Sequence, residues 1–441
     1  MATGIPKTQA GGQNTSCGAH QIVDCQEVLL HYAGKLSEPD VLATPPARIK
    51  GLWHGAGKNR LYYGDNLPIL AHLLEDSCVR SHVRLVYIDP PYSTRSVFQS
   101  RAQTDAYADL LAGAHYVEFL RQRLILLREL LAEDGSIYVH LDENMAFHIK
   151  IIMDEIFGRA NFRNWITRKK CNPKNYTRKT YGNIADYILF YTKSGKYTWN
   201  RPYETWTAER AEKEYEYVEE QTGRRYKKVP LHAPGVRHGA TGQSWRGKPP
   251  PPGKHWQFPP EVLDEMDARG EVYWSPNGNP RRKIYLDASA GVPVQDIWLD
   301  VRDAHNQNIE VTGYPTEKNS DLLKRIISAS SDAGDMVLDC FSGSGTTLAV
   351  ASQLGRAWIG MDSSAVAIAT TLRRFSHGLE RMGDFVSKTV GADSSVMMPT
   401  LFDLPEPELP AWTPIRDFAL YTSGSHNGEL DSALSEWLGQ R

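Results

Sequence analysis

The chain has 441 residues, of which 41% are hydrophobic and 23% charged, and its formal net charge is −2. This length suits two or three domains, and this composition is that of a globular and not of a disordered chain. No apolar run reaches the ~18 residues of a membrane span, and the start of the chain lacks the apolar core of a signal peptide. The five cysteines are too few for a disulfide framework. We therefore expect a cytoplasmic protein.

The first part of the chain divides at about residue 50. Residues 1–50 are rich in Gly, Ser, Gln and Pro, and we predict a flexible lead-in with one short helix over Val23–Tyr32. From residue 51 to 192, short apolar runs alternate with amphipathic helical patterns. The predicted strands are Leu61–Tyr63, Val83–Ile88, Ser136–Leu141 and Tyr187–Tyr191, and the predicted helices are Asn66–Leu74, Tyr116–Leu131 and Met145–Phe157.

The alternation stops in residues 193–310, which contain four consecutive prolines, many aromatic residues and one clear helical pattern over Pro260–Arg269. We predict a separate, loop-rich module there. The alternation of strand and helix patterns resumes in residues 311–380. Residues 381–441 are predicted to be a partly ordered tail. The elements predicted in 311–380 are helices over Ser320–Ser331 and Thr346–Leu354 and from Ala365 onward, and strands over Met336–Asp339 and Trp358–Asp362. Alternating strands and helices favour a parallel sheet covered on both faces.

Charge is distributed unevenly along the chain. Residues 163–283 contain 24 Lys and Arg against 13 Asp and Glu, a net charge of +11, whereas the rest of the chain has a net charge of −13. A basic segment inside an acidic chain indicates a polyanion-binding module, although a solvated basic face has the same composition.

A glycine-containing turn follows the strand Met336–Asp339 and precedes a helix. Gly343 and Gly345 would let a ligand approach the backbone, and the start of the helix offers unpaired N–H groups. Asp362, at the end of the next strand, is placed to accept hydrogen bonds from ribose hydroxyls. The pattern predicts an adenosine-type cofactor, but Leu348 occupies the place of a third glycine, so an ordinary strand–turn–helix stays open.

A second motif, Asp89-Pro90-Pro91-Tyr92, stands directly after the strand Val83–Ile88. The two prolines fix the backbone and remove two N–H donors. A carboxylate and a rigid carbonyl could accept both hydrogens of an exocyclic amino group, while the tyrosine ring stacks on the base that carries it. The motif therefore indicates chemistry on a nucleobase amino group.

Together these motifs resemble those of the DNA amino-methyltransferases, which use S-adenosylmethionine to methylate adenine N6 or cytosine N4. Asp89 to Tyr92 matches their catalytic motif, and the cofactor motif Asp-x-Phe-x-Gly-x-Gly is matched by Asp339, Phe341, Gly343 and Gly345. Residues 314–318, ending in Lys318, look like the motif that closes over the methionine part of the cofactor. Gly64-Asp65-Asn66 looks like the motif whose acid, here Asp65, binds near the cofactor's adenine.

The motif order, catalytic first and cofactor last, is that of the family's beta group. The resemblance is strongest to the modification subunits of type III restriction systems and their solitary relatives, and Ser93 departs from it, because those enzymes usually have Asn there. It implies a permuted Rossmann-like methyltransferase sheet of the α/β class. Residues 51–192 would be its catalytic half, 311–380 its cofactor-binding half, and 193–310 an inserted module that recognises the target.

The resemblance implies double-stranded DNA as the partner, and the basic segment agrees with it. Lysines and arginines neutralise phosphates. The residues predicted to bind DNA are Arg168, Lys169, Lys170, Lys174, Arg178 and Lys179, and further candidates in the module are Arg224, Arg225, Lys227, Lys228, Arg281, Arg282 and Lys283. No metal site is predicted, since Cys17, His20, Cys25 and His31 have no zinc-ligand spacing.

We expect an adenine-N6 methyltransferase, because Asp at the first catalytic position is the family's habit for adenine. Cytosine N4 is the nearest alternative. More distant alternatives are a nicotinamide dehydrogenase, a non-catalytic DNA-binding protein on a methyltransferase fold, and an RNA substrate. The sequence leaves open the recognition sequence, methylation of one or both strands, a homodimer and a restriction nuclease partner.

Overall fold

A computed structural model describes residues 28–91, 97–99, 105–108, 113–171, 179–302, 318–377, 413–424 and 428–439. The predicted helix Val23–Tyr32 lies partly outside this set, and its described part, residues 28–32, is not helical. Val28 and Leu29 are exposed, and Leu30 and Tyr32 pack against the core without forming a helix.

The strands, in chain order, are β1 Lys50–His54, β2 Asn59–Tyr63, β3 Val83–Ile88, β4 Val97–Gln99, β5 Asp105–Ala108, β6 Leu131–Leu141, β7 Phe162–Lys169, β8 Ala185–Thr192, β9 Tyr203–Glu204, β10 Tyr217–Val218, β11 Arg225–Pro230, β12 His232–Pro234, β13 Lys254–Trp256, β14 Val272–Trp274, β15 Pro280–Tyr285, β16 Val292–Pro293, β17 Ile297–Trp298, β18 Met336–Asp339, β19 Ala357–Asp362 and β20 Phe418–Thr422. The α-helices are α1 Glu38–Leu42, α2 Asn66–Glu75, α3 Ala114–Leu130, α4 Ala146–Phe157, α5 Ala208–Glu214, α6 Pro260–Ala268, α7 Ser320–Ser330, α8 Thr346–Gln353, α9 Ala365–His377 and α10 Gly428–Gly439.

In the described part of the chain, ten strands form the main sheet, in the order β1-β20-β2-β19-β18-β3-β6-β8-β7-β17. The neighbours from β20 to β6 are parallel, whereas β8 runs antiparallel to both β6 and β7, and β1 antiparallel to β20. The predicted α/β class is confirmed. The sheet is mixed and not wholly parallel, because β8 and β1 reverse direction.

Apolar cores cover both faces of the sheet. One includes Leu120 and Leu124 of α3 and Ile152 of α4, and the other includes Ile326 of α7 and Leu372 of α9, all essentially inaccessible to solvent. Burial on two faces explains why the central strands are almost continuously apolar. Because both faces are covered, polar side chains that bind a ligand are expected at the carboxyl-terminal ends of the strands.

Residues 193–310 contain a smaller four-stranded sheet, β10-β11-β15-β14, and the helix α6. These elements have a separate core, in which Trp245 and Trp256 are buried with Leu263. Strand β17 returns from the module to the main sheet, where it pairs with β7.

The interpretation of 381–441 as a tail needs correction for its described part. Strand β20 lies within the main sheet, between β1 and β2, and Phe418 and Leu420 are buried. Helix α10 packs beside α9, with Trp437 against Phe418. A five-residue strand in a proline-rich context has little local signal, and the strands that pair with it lie more than 350 residues earlier in the chain.

Candidate active site

Four neighbouring parallel strands, β2, β19, β18 and β3, end at one edge of the sheet. Asp65 follows β2 by two residues, Asp362 ends β19, Asp339 ends β18, and Asp89 follows β3. Ligands of open α/β sheets bind outside the carboxyl ends of strands. The two halves of the predicted site, far apart in sequence, are thus brought to one edge by the sheet order.

The catalytic candidate Asp89 forms an ion pair with Lys318. The Lys318 Nζ atom lies 2.9 Å from Asp89 Oδ2, and the two side chains are only 9% and 17% exposed. Burial is the largest single effect and lowers the pKa of Lys318, but the acidic groups around it, Asp89 first and then Tyr87 and Asp186, together raise that pKa above its ordinary value. Pro90 is buried and Pro91 half-buried, whereas Tyr92 lies outside the described residues.

The turn after β18 is shaped by Asp339. Its carboxylate accepts hydrogen bonds from Phe341 N at 3.0 Å and Thr347 Oγ1 at 2.6 Å. Burial raises the pKa of Asp339 to about 7, although these hydrogen bonds act in the opposite direction. Asp339 therefore holds the turn, because its carboxylate binds the backbone of Phe341 and the side chain of Thr347.

Both predicted glycines adopt left-handed backbone conformations, with φ of 50° at Gly343 and 74° at Gly345. A Cβ atom at Gly345 would lie 2.7 Å from the Thr371 side chain, so only glycine fits there. The glycines thus allow the turn that brings the start of α8 to the edge of the sheet.

Asp362 closes the turn from the neighbouring strand. Its Oδ2 accepts from Gly343 N at 2.9 Å and its Oδ1 from Ser364 N at 2.8 Å, and burial raises the pKa of its carboxyl group. A carboxylate has about four acceptor positions, so ribose hydroxyls could use the remaining ones. Within the described residues the buried Ser342 Oγ has no hydrogen-bond partner, and an adenosine-type ligand in this turn would supply one.

Asp65 caps the first turn of α2, because its Oδ1 accepts from Leu67 N at 3.1 Å. The same oxygen lies 3.0 Å from Arg123 Nη2, and the Asp65 side chain remains 63% exposed. Asn66 is buried and donates to the Cys340 carbonyl at 2.6 Å. The start of α2 is therefore tied to the strand end that precedes the glycine turn.

The structure corrects the prediction for Arg168. Its side chain is fully buried and donates to both oxygens of Asp186, at 2.9 and 2.5 Å. Asp186 Oδ2 also lies 2.9 Å from His140 Nε2, and Tyr87 Oη bonds His140 Nδ1 at 2.9 Å. Arg168 thus belongs to a buried polar row across β3, β6, β8 and β7, where no DNA phosphate can contact it.

The remaining DNA-binding candidates differ in position. Lys169 and Lys170 are half-buried at the end of β7, and Lys179 is exposed. Lys174 and Arg178 lie outside the described residues.

In the module, several basic side chains are already paired. Arg224 pairs with Asp287 at 2.7 Å, Lys227 with Glu214 at 2.8 Å and Lys283 with Glu219 at 2.6 Å. Lys228 lies over the rings of Tyr217 and Tyr273, at 3.5 and 3.7 Å from their centroids. The positive charge of this segment is therefore partly neutralised within the module.

Sequence reasoning missed Arg123, His140 and Asp186, and it named Asn66 within a motif without giving its side chain a role. One signal was present: Arg123 is three residues after Leu120 and four before Leu127, on the apolar face of α3, where a charged residue needs a buried partner. In the described part of the chain, no three His, Cys, Asp or Glu side chains cluster as metal ligands. No described helix is long and apolar enough to cross a membrane.

Comparison with known proteins assigns the class. The profile of a family described as DNA methylase, the N6 and N4 methyltransferases, matches residues 83–372. The chain belongs to this family, as the resemblance implied.

Individual relatives agree with the family assignment. The type II methyltransferase M.EcaI of Enterobacter cloacae is 46% identical over 413 residues, which are 90% of this chain and 89% of that protein. The StyLTI Mod subunit, of a type III restriction-modification enzyme of Salmonella typhimurium, is 29% identical over 66% of this chain, but only 49% of that subunit is covered. The DNA adenine methyltransferase YhdJ of Escherichia coli is 27% identical over 71% of this chain and 81% of that protein.

Solved structures of low sequence identity are also similar. The complex of M1.HpyAVI with SAM is 15% identical, with a TM-score of 0.41, over 71% of this chain and 98% of that one. The cytosine-N4-specific PvuII DNA methyltransferase is 14% identical, with a TM-score of 0.42, over 74% of this chain and 90% of that one. Likeness at this level does not extend to the geometry of a site.

Proposed function

We propose that this DNA methyltransferase, whose methyl donor is S-adenosylmethionine, modifies the N6 atom of adenine in duplex DNA. The observation that carries the proposal is the placement of Asp89, held by Lys318, at the same sheet edge as the glycine turn and Asp362. The first group suits a nucleobase amino group and the second suits an adenosine cofactor. Methyl transfer between two such ligands needs them side by side.

S-adenosylmethionine supplies a methyl carbon bound to a positively charged sulfur. The bond between N6 and the methyl carbon would form as the bond between that carbon and sulfur breaks, and the proton that N6 must then lose would be released to solvent. Asp89 would accept one N–H of the amino group and the Pro90 carbonyl the other. These contacts would direct the nitrogen lone pair, which is otherwise delocalised into the ring, and catalysis would rest on positioning and electrostatics.

The target base must leave the helix, which costs a few kcal/mol for a paired base. Tyr92 would stack on the extruded ring and Asp362, Gly343 and Gly345 would hold the cofactor. The module of residues 193–310 would read the DNA sequence, with Lys169, Lys170 and Lys179 contacting the backbone beside it. Arg168 is excluded from this set by its burial.

Adenine is favoured over cytosine by Asp89 at the first catalytic position and by the relative named as a DNA adenine methyltransferase. Cytosine N4 is the second candidate, because its amino group presents the same two N–H bonds and the family includes both activities.

The test is the chemical identity of the product. Purified protein is incubated with unmethylated bacterial genomic DNA and S-adenosylmethionine carrying a labelled methyl group, and the DNA is then digested to nucleosides. We expect the label in N6-methyladenine, and label in N4-methylcytosine would establish the second candidate. Asp89→Ala protein serves as the control for contaminating methyltransferases, and transfer undiminished in that variant would contradict the proposed site.

A further inference from the structure

Arg123 is a buried arginine beside the proposed cofactor site. Its side chain is 5% exposed, and each of its three nitrogens has a protein acceptor. Nε donates to Asn66 Oδ1 at 2.5 Å, Nη2 to Asp65 Oδ1 at 3.0 Å and Nη1 to the Phe119 carbonyl at 2.8 Å. Such a fixed fork of donors is a geometry that arginine provides and lysine does not.

The acceptors of Arg123 lead to both sides of the proposed cofactor site. Asn66, which accepts from Arg123, donates to the Cys340 carbonyl at 2.6 Å. The guanidinium lies 3.6 Å from the centroid of the Phe119 ring, which in turn is 6.0 Å from the Phe341 ring. One side chain on α3 therefore fixes the start of α2 and is linked, through Asn66 and Phe119, to the turn that follows β18.

The contact with Asp65 leaves part of that carboxylate available. Arg123 and Leu67 N both use Oδ1, and among the described residues nothing pairs with Oδ2. Because the Asp65 side chain is 63% exposed, Oδ2 can meet a ligand. If Arg123 served only to pack the helices together, its partner Asp65 would not need to be exposed at the carboxyl-terminal edge of the sheet.

We propose that Arg123 is a positioning residue for the cofactor, which presets Asp65 and the turn at Phe341 for S-adenosylmethionine. It touches neither substrate nor reacting atoms. Its effect is to fix groups that would otherwise have to be ordered when the cofactor binds, and preorganisation of this kind acts on affinity. The inference rests on the proposed function, because it takes these residues to form the cofactor site.

The test compares Arg123→Lys with Arg128→Lys. Arg128 is on the same helix, pairs with Glu38 and Glu129, and lies away from the site. Calorimetry should show the dissociation constant for S-adenosylmethionine raised at least about tenfold by Arg123→Lys, as expected for lost charge-assisted hydrogen bonds, and by less than about twofold by Arg128→Lys. At saturating cofactor, kcat should stay within about threefold of wild type, because the reacting groups are untouched.

A milder variant guards against poor folding of Arg123→Lys. Phe119→Leu removes the ring under the guanidinium but keeps every hydrogen bond, and we expect about three- to fivefold weaker cofactor binding. Thermal unfolding without cofactor, within a few degrees of wild type, would show that each variant is folded.

The outcomes separate the two proposals. Cofactor affinity unchanged in both site variants, or equal losses in Arg123→Lys and Arg128→Lys, overturns the inference alone. A loss confined to kcat also overturns it, since a positioning residue for the cofactor must change affinity. A wild-type protein that binds no S-adenosylmethionine overturns the proposed function, and this inference with it.

Discussion

Lys318 Nζ lies 2.9 Å from Asp89 Oδ2, so the ammonium group of one motif holds the carboxylate of the other. The two residues are 229 positions apart, and they meet because β18, which follows α7, pairs with β3. The resemblance implied that Lys318 belongs to the cofactor motif. Its contact with Asp89 would add a second role, that of orienting the carboxylate proposed to accept a hydrogen bond from the amino group.

This relationship predicts non-additive losses of activity. Asp89→Ala should lower the single-turnover rate of methyl transfer at least ~10³-fold, as for the loss of a preorganised electrostatic partner, and leave cofactor affinity within a few-fold. Lys318→Ala should also lower the rate, but adding it to Asp89→Ala should cost little more, because its partner is already gone. Rate losses that multiply in the double variant would show that Lys318 acts independently of Asp89.

Asp362 is predicted to contribute to cofactor affinity. Asp362→Ala should weaken binding of S-adenosylmethionine by a few-fold to about a hundredfold, the range of one or two charge-assisted hydrogen bonds. Calorimetry measures this, with Asp335→Ala as the control, because Asp335 precedes β18 at the opposite edge of the sheet. An unchanged affinity in Asp362→Ala would remove that residue from the site.

Lys169 and Lys170 are predicted to contact DNA phosphates. Replacing both by Ala should weaken binding to all sequences alike and reduce the slope of log affinity against log salt by about 1.8, at ~0.9 per contact. Lys58→Ala is the control, since Lys58 directly precedes β2 at the edge away from the site. A changed sequence preference with the same slope would assign the pair to base recognition.

The sequence was sufficient where a signal is local. The apolar runs of β3 and β18, each followed by a distinctive turn, predicted both strands and the residues at their ends. Because the carboxyl ends of parallel strands share one edge of a sheet, the local patterns also placed Asp89, Asp339 and Asp362 at that edge, and the strand order agrees.

It was insufficient where an assignment depends on a neighbour in space. Strand β7 was not predicted, so Arg168-Lys169-Lys170 was interpreted as one basic surface. Because successive side chains of a strand point to opposite faces, Arg168 turns inward to Asp186 while Lys169 does not. The contacts of Arg123 were hidden for the same reason, since Asp65 and Asn66 are on another helix.

The buried pair of Arg168 and Asp186 predicts a large loss of stability when one partner is removed. Asp186→Leu leaves a buried guanidinium without its carboxylate and should lower the free energy of unfolding by about 3–5 kcal/mol. The double variant Arg168→Met/Asp186→Leu should recover much of this loss. Arg224→Ala, which breaks an exposed pair with Asp287, should cost far less, because solvent screens an exposed ion pair. Urea unfolding measures all three, and equal costs for the buried and exposed pairs would contradict the prediction.

Asp339 predicts a specific dependence of stability on pH. Burial raises the pKa of its carboxyl group to about 7 from an ordinary value of 3.8. The folded protein then holds a proton that the unfolded chain releases, so the stabilisation is complete below pH ~4 and is lost as pH rises toward and through 7. Asp339→Asn does not titrate, and its amide can still accept from Phe341 N.

From pH 5 to 8, wild type should lose stability relative to Asp339→Asn, by at most about 1.4 kcal/mol per pH unit for one group. Glu219→Gln is the control of opposite sign: the pKa of Glu219 is lowered to about 2, chiefly by the hydrogen bond from Lys283. The free energy of unfolding of Glu219→Gln, relative to wild type, should change only as pH falls below ~4.5. Urea unfolding at several pH values gives both differences. If the difference for Asp339→Asn stays constant from pH 5 to 8, the Asp339 carboxylate is ionised throughout, and the turn that it holds carries a buried negative charge.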